Sequence, residues 1–343
     1  MRTRQALLFT PSIAVLTDSA SKPGGRLTAA VIGVSLLTQL PTESGTHALT
    51  ISVTIAASDG CRLHLKRGGS GPVIVLCHGF PDYWRGWRAQ IDALSRRFTV
   101  IAPDGRGCNL SGKPVELSAY RLERLTADLD DILDRQAGDR PVLLVGHDWG
   151  GAVAWSYAAT RPERLAGLCV LSAPHPAILA AALQDDPAQR RASAYMPRLR
   201  EPGAEGLFEA HNYRALRGML DRLRSKGLSD HADEAAYIEA LARPGALTGA
   251  LNWYRANPME AGAPTVATGP VTCPVELLWG DQDEALLPSL AERHRSLAPD
   301  LTIRMFEGAG HWLQRERAES VSAVIAAFAD KVFMAGRKDP VAG

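Results

Sequence analysis

A chain of 343 residues, 46% hydrophobic and 22% charged, has the composition of an ordinary globular protein, sized for one large domain with an insertion or two modest ones. Lys plus Arg number 38 against 37 for Asp plus Glu, so the net charge of +1 gives no indication of nucleic acid or acidic partners. Five cysteines at 61, 77, 108, 169 and 273 lack metal-ligand or redox-pair spacing and fit thiols in a reducing, cytoplasmic compartment.

No apolar run reaches the roughly 18 residues of a membrane span. Residues 1–47 carry two short apolar runs, Ala6 to Leu16 and Leu27 to Leu37, the first interrupted by Pro11 and without a convincing cleavage site. They are expected to form a poorly ordered extension. From residue 48 the pattern becomes regular. Leu49, Ile51, Val53 and Ile55 alternate with polar residues, Asp59-Gly60 signals a turn, and Arg62 to Lys66 alternates again, which predicts a hairpin. Val73 to Cys77 is a continuous apolar run, as for a strand covered on both faces. A helix near Trp87 to Leu94, a strand Phe98 to Ala102, Pro103-Asp-Gly-Arg-Gly107 and an amphipathic helix Leu122 to Arg135 follow.

The stretch Pro141-Val-Leu-Leu-Val-Gly-His-Asp-Trp-Gly-Gly151 joins a buried-strand run to a helical one. Gly-His-Asp-Trp-Gly has the spacing of a nucleophile elbow, in which the central residue stands on a strained strand-to-helix turn. The usual elbow carries Ser, whereas this one carries Asp148. A carboxylate is ionised at neutral pH and needs no base to attack carbon, so Asp148 is a candidate for direct ester formation. His78-Gly-Phe-Pro81 follows a predicted strand, where such hydrolases find their second oxyanion donor; by position the two donors are the amides of Phe80 and Trp149.

After the strand Ala166 to Leu171, residues 178–265 hold no β-like run and read as helices, a predicted insertion that divides a core of 48–177 and 266–335. The core resumes with the strand Val275 to Trp279, a helix near Leu287 to Ser296, the strand Leu301 to Phe306 and a closing helix Ala318 to Phe333. Two strand-end loops carry partners for Asp148. Gly280-Asp-Gln-Asp-Glu284 offers Asp281 and Asp283, and Gly308-Ala-Gly-His-Trp312 offers His311, which completes the chain order nucleophile, acid, His. His147 and His175 read as structural.

This constellation resembles the α/β-hydrolase superfamily and, within it, the soluble epoxide hydrolases. The resemblance runs from about residue 56 to 330 and rests on His78-Gly-Phe-Pro-Asp82, Asp104-Gly-Arg-Gly107, Gly146-His-Asp-Trp-Gly-Gly151 and Gly310-His-Trp312. It implies an α/β-hydrolase fold with a mostly parallel sheet and a helical cap, and it makes Asp283 rather than Asp281 the acid. It also implies two cap tyrosines that assist the epoxide oxygen, matched here by Tyr195 before Glu201-Pro-Gly203 and by Tyr254 in Leu251-Asn-Trp-Tyr-Arg255. The implied partners are a small epoxide and water, with no cofactor, no metal, and a homodimer left open.

Two alternatives stay open. A dehalogenase would use the same Asp148, Asp283 and His311. A haloalkane enzyme, however, grips halide with Trp149 and a second Trp or an Asn, the Asn lying beside His-Gly where Phe80 stands. A fluoroacetate enzyme has Arg after the nucleophile, where Trp149 stands, and an Arg pair, whereas Arg106 is followed three positions on by Asn109. A non-catalytic binding protein on the same scaffold is the other.

Overall fold

The computed structural model describes residues 49–259 and 269–335. The expected extension 1–47 and the predicted return to the core at 266 therefore lie outside the described residues. Eight strands form one sheet in the order β1-β2-β4-β3-β5-β6-β7-β8. Thr50–Ala56 (β1) and Arg62–Gly68 (β2) make the expected antiparallel hairpin, and β2 also pairs antiparallel with Thr99–Pro103 (β4). Val73–Cys77 (β3), β4, Val142–His147 (β5), Leu165–Leu171 (β6), Val275–Gly280 (β7) and Leu301–Phe306 (β8) run parallel.

Helices cover both faces, which is why β3, β4 and β5 are buried at every position. One face takes Arg88–Leu94 (α1) and, late in the chain, Ala318–Ala335 (α11), which bury Ile91, Leu94, Ile325 and Phe328 against Ile74, Val100 and Val145. The other takes Leu122–Gln136 (α2) and Trp149–Thr160 (α3). In α2 the residues Leu122, Leu125, Leu129, Ile132 and Leu133 recur at helical spacing on the buried side. α3 is buried from Trp149 to Ala158, because it is wedged between the sheet and other helices and has no wet face.

Among the described residues between β6 and β7 lie six helices: Pro176–Asp185 (α4), Pro187–Ala192 (α5), Tyr195–Arg200 (α6), Glu205–Ser225 (α7), His231–Ala242 (α8) and Ala246–Ala256 (α9). α7 leaves helical geometry at Ala210–Tyr213. Prolines at the first turns of α4 and α5 cost nothing, since those N–H groups have no intrahelical acceptor. The helix expected near Leu287 to Ser296 is a 3₁₀ helix, Pro288–Ser296, and a short helix, Leu313–Glu316 (α10), precedes α11. Among the described residues no helix is long and apolar enough to cross a membrane.

Candidate active site

β5 ends at His147, and the next residue adopts φ 52° and ψ −124° before α3 begins. A non-glycine residue in this region is strained, and strain of about 1–3 kcal/mol persists only where the surroundings impose it. Here they do so through close packing: a Cβ at residue 150 would come within 2.3 Å of the Cys77 carbonyl oxygen, so only Gly150 lets α3 approach β3. Asp148 thus stands at the sheet's C-terminal edge, 8% exposed.

The loop after β3 folds over it. The Phe80 amide donates to Asp148 Oδ1 at 2.7 Å, and a Cβ at residue 79 would sit 2.2 Å from that same oxygen, so Gly79 is what admits the carboxylate. Trp149 is the first residue of α3, where backbone N–H groups lack intrahelical acceptors. Both predicted oxyanion donors therefore flank Asp148.

The loops after β7 and β8 bring the partners. His311 Nδ1 lies 2.8 Å from Asp283 Oδ2, and its Nε2 faces Asp148 Oδ2 at 3.6 Å. Asp283 is 2% exposed, and its Oδ1 accepts from the Ala285 and Leu286 amides at 2.9 and 3.0 Å, which fixes the carboxylate beneath the imidazole. Asp281 instead accepts from the Gly308 amide and serves its turn. Burial raises the Asp148 pKa, but the His311 contact and the Phe80 amide outweigh it and hold the carboxyl below its usual range. Burial likewise lowers that of His311, and the Asp283 and Asp148 carboxylates reverse this to raise it to about 10.

His147 and His175 support rather than face the site. His147 Nε2 lies 2.8 Å from the His311 carbonyl oxygen and Nδ1 lies 3.2 Å from Gln314 Nε2, a tautomer with Nε2–H donating and Nδ1 accepting. His175 Nδ1 accepts from the Ala177 amide and caps α4. Gln314, which ties His147 to α10, had no signal in the sequence: a Gln three residues past a His has no motif.

Tyr254 on α9 is 4% exposed, and its ring lies 5.0 Å from Trp149, 5.4 Å from Phe80 and 6.5 Å from Tyr195. Burial, with Asp148 nearby, raises both phenol pKa values. A cavity of about 430 Å³ is bounded by Asp148, Trp149, Leu179, Leu183, Met196 and Tyr254, among others. Tyr195 packs edge-on to Tyr254, and its neighbours Ala194 and Met196 line the cavity. The five predicted catalytic side chains thus converge. Among the described residues no cluster of three His, Cys, Asp or Glu side chains could hold a metal ion.

Residues 72–318 match the family model described as alpha/beta hydrolase fold. The AB hydrolase superfamily protein YfhM of Bacillus subtilis is 36% identical over 272 residues, covering 78% of this chain and 94% of its own length. Epoxide hydrolase A of Mycobacterium tuberculosis is 32% identical, covering 79% and 95%. The chain belongs to the epoxide hydrolase family of α/β-hydrolases. In structure it is similar to Bacillus megaterium epoxide hydrolase in complex with an inhibitor, with a TM-score of 0.76 and 28% identity over 81% of this chain and 99% of that one.

The buried histidines of this α/β-hydrolase set its acid stability. Burial lowers the pKa of both His147 and His294 from 6.5 to about 4. Between those values the unfolded chain binds more protons, so their contribution is complete above pH 6.5 and is lost as pH falls toward 4, on the order of 3 kcal/mol for each. His311 has the opposite sign, contributing fully below pH 6.5 and losing it as pH rises toward 10. Urea unfolding from pH 4.5 to 9 should give greatest stability near pH 6.5–7. A flat acid limb would mean that the two imidazoles are hydrated when folded.

Proposed function

We propose that the protein hydrolyses epoxides to vicinal diols through a covalent ester on Asp148. The observation that carries this reading is that Tyr254, in ring contact with Tyr195, bounds the same cavity as Asp148, whose Oδ2 faces His311 Nε2 with Asp283 on the other imidazole nitrogen. Asp148 Oδ1 is held by the Phe80 amide, which leaves Oδ2 to attack an epoxide carbon as the ring C–O bond breaks. The departing oxygen takes its hydrogen bond and proton from Tyr254, backed by Tyr195. Their raised pKa values keep both phenols protonated and bring their acidity closer to that of the alkoxide.

Ester formation removes the negative charge of Asp148, one of the groups that holds a proton on His311. The imidazole pKa therefore falls once the ester forms; His311 gives up its proton, by way of solvent, to the phenolate left on Tyr254, which restores the phenol and makes His311 a base. The 3.6 Å between Nε2 and Oδ2 exceeds a hydrogen bond, so the imidazole is not tied to the oxygen that attacks. Water attacks the ester carbonyl carbon as His311 takes its proton, and the amides of Phe80 and Trp149 receive the developing oxyanion. Collapse passes the remaining proton of the attacking water to the departing diol oxygen, which restores the carboxylate and leaves His311 protonated as at the start. The helices α4 to α9 act as the cap, and their Leu179, Leu183 and Met196 give the cavity apolar walls suited to an apolar epoxide.

Dehalogenation is disfavoured by two details. The Phe80 ring, at the position of a halide donor, packs edge-on against Phe208 and Tyr254. Arg106 is buried and paired with both Asp59 and Asp128, so its charge is already answered and cannot grip a substrate carboxylate. Incubation with an aryl glycidyl ether and with alkyl bromides tests the reading: diol should form from the first and no bromide should be released from the second. In a single turnover in ¹⁸O-water, the diol should carry unlabelled oxygen from Asp148 and the label should remain in the protein. Label in the diol after one turnover would mean direct attack by water.

A further inference from the structure

The residue that follows the oxyanion loop, the helices between β6 and β7, and the segment after His311 meet at one phenol. Asp82 closes the turn His78-Gly-Phe-Pro-Asp82, its amide donating to the Gly79 carbonyl at 3.0 Å. Its buried Oδ1 accepts from the Tyr83 amide at 2.8 Å and from the Tyr237 hydroxyl at 2.6 Å. Tyr237, on α8, is fully buried and also accepts a hydrogen bond from Arg315. Arg315 lies four residues beyond His311, in α10, with its guanidinium over the Tyr237 ring at 4.9 Å and over the Trp312 ring at 5.4 Å. One turn earlier on the same face of α8, Asp233 pairs with Arg85 and Arg88, so the helix is docked by charge independently of Tyr237.

We propose that Tyr237 is a positioning residue for ester hydrolysis, its hydroxyl holding the Phe80 loop through Asp82 and the His311 segment through Arg315 in one register. The inference rests on the epoxide-hydrolysing reading above. Its logic lies in what each half-reaction needs. Ring opening uses Asp148 and the tyrosines, and the Phe80 amide, by stabilising the carboxylate, only restrains the nucleophile there. Hydrolysis needs the same amide on the oxyanion while His311 takes the proton, so both arms of the Tyr237 link must be in place together.

The test is the KM-against-kcat split of Tyr237→Phe on an aryl glycidyl ether. Losing this charge-assisted bond should slow hydrolysis about tenfold. Because kcat/KM reports steps only through ester formation, kcat and KM should fall by the same factor and leave kcat/KM within about twofold of wild type. The ester burst amplitude counts folded sites, so partial unfolding does not mimic the effect. Arg315→Met should give the same split, and Arg315→Lys, which keeps a charged donor, should recover much of the rate. A fall in kcat/KM, or a rise in KM, would assign Tyr237 to ring opening or cap docking and overturn the proposal. Should the wild type itself form no ester from the epoxide, the underlying reading fails first and the inference falls with it.

Discussion

The His311→Gln protein, mixed with an epoxide, will gain the mass of one whole epoxide and keep it. Ring opening adds every atom of the substrate to Asp148 and expels nothing, so the increment equals the intact epoxide. An alkyl halide would add its mass less HX. The ester survives because the step that removes it needs a base at the position of Nε2, with Asp283 fixing the imidazole from the other side. Gln can fill the space and hydrogen-bond, but it cannot accept the proton of water, and loss of a general base costs about 10²–10⁴ in rate. Turnover should therefore fall about 10³-fold while the first ester still forms within a single exposure. Asp148→Asn in the same background should show no adduct, which makes Asp148 the site of attachment. Peptide mapping that placed the adduct on another residue would sink the mechanism.

The elements of the core were legible because their signals are local. Continuous apolar runs bounded by Gly or Pro marked β3 and β5, and the Leu122, Leu125, Leu129, Ile132 spacing marked α2. The elbow was legible for the same reason, since its steric demands fall within five consecutive residues. The helix expected near Leu287 to Ser296 is present as a 3₁₀ helix, whose hydrogen bonds differ by one residue in spacing from those of an α-helix, a distinction that side-chain patterns do not encode. Contacts between distant segments left still less trace. Gln314 against His147, and Asp82 against Tyr237, join residues 167 and 155 positions apart. Neither pair has a sequence signature, because the first is defined only once the end of β5 lies beside the segment after β8, and the second only once α8 docks on the loop after β3. Tyr254 was identified by its motif alone. Its ring contacts with Trp149 and Phe80 are what join that motif to the nucleophile.

Removing the two phenols should stop the reaction one step earlier than removing His311. Tyr254→Phe should lower kcat/KM for an epoxide by about 10²-fold, within the range of a lost general acid. Tyr195→Phe should do less, because Tyr254 lines the cavity beside Asp148 whereas Tyr195 does not. The double variant should yield no ester even when His311 is also replaced by Gln, which puts the defect in ring opening rather than in hydrolysis. Substrate electronics provide the sharper check. An epoxide whose oxygen departs as a weaker base, such as one bearing a nitroaryl group, needs less protonation in the transition state, so Tyr254→Phe should cost it less. If both epoxides lost the same factor, the hydroxyl would be binding substrate uniformly, and the role of Tyr254 would be orientation rather than proton donation. A deficit that instead tracks leaving-group basicity would tie the phenol to the bond that breaks. It would also give the chain a chemical reason for keeping a tyrosine, rather than a phenylalanine of nearly the same volume, against Trp149.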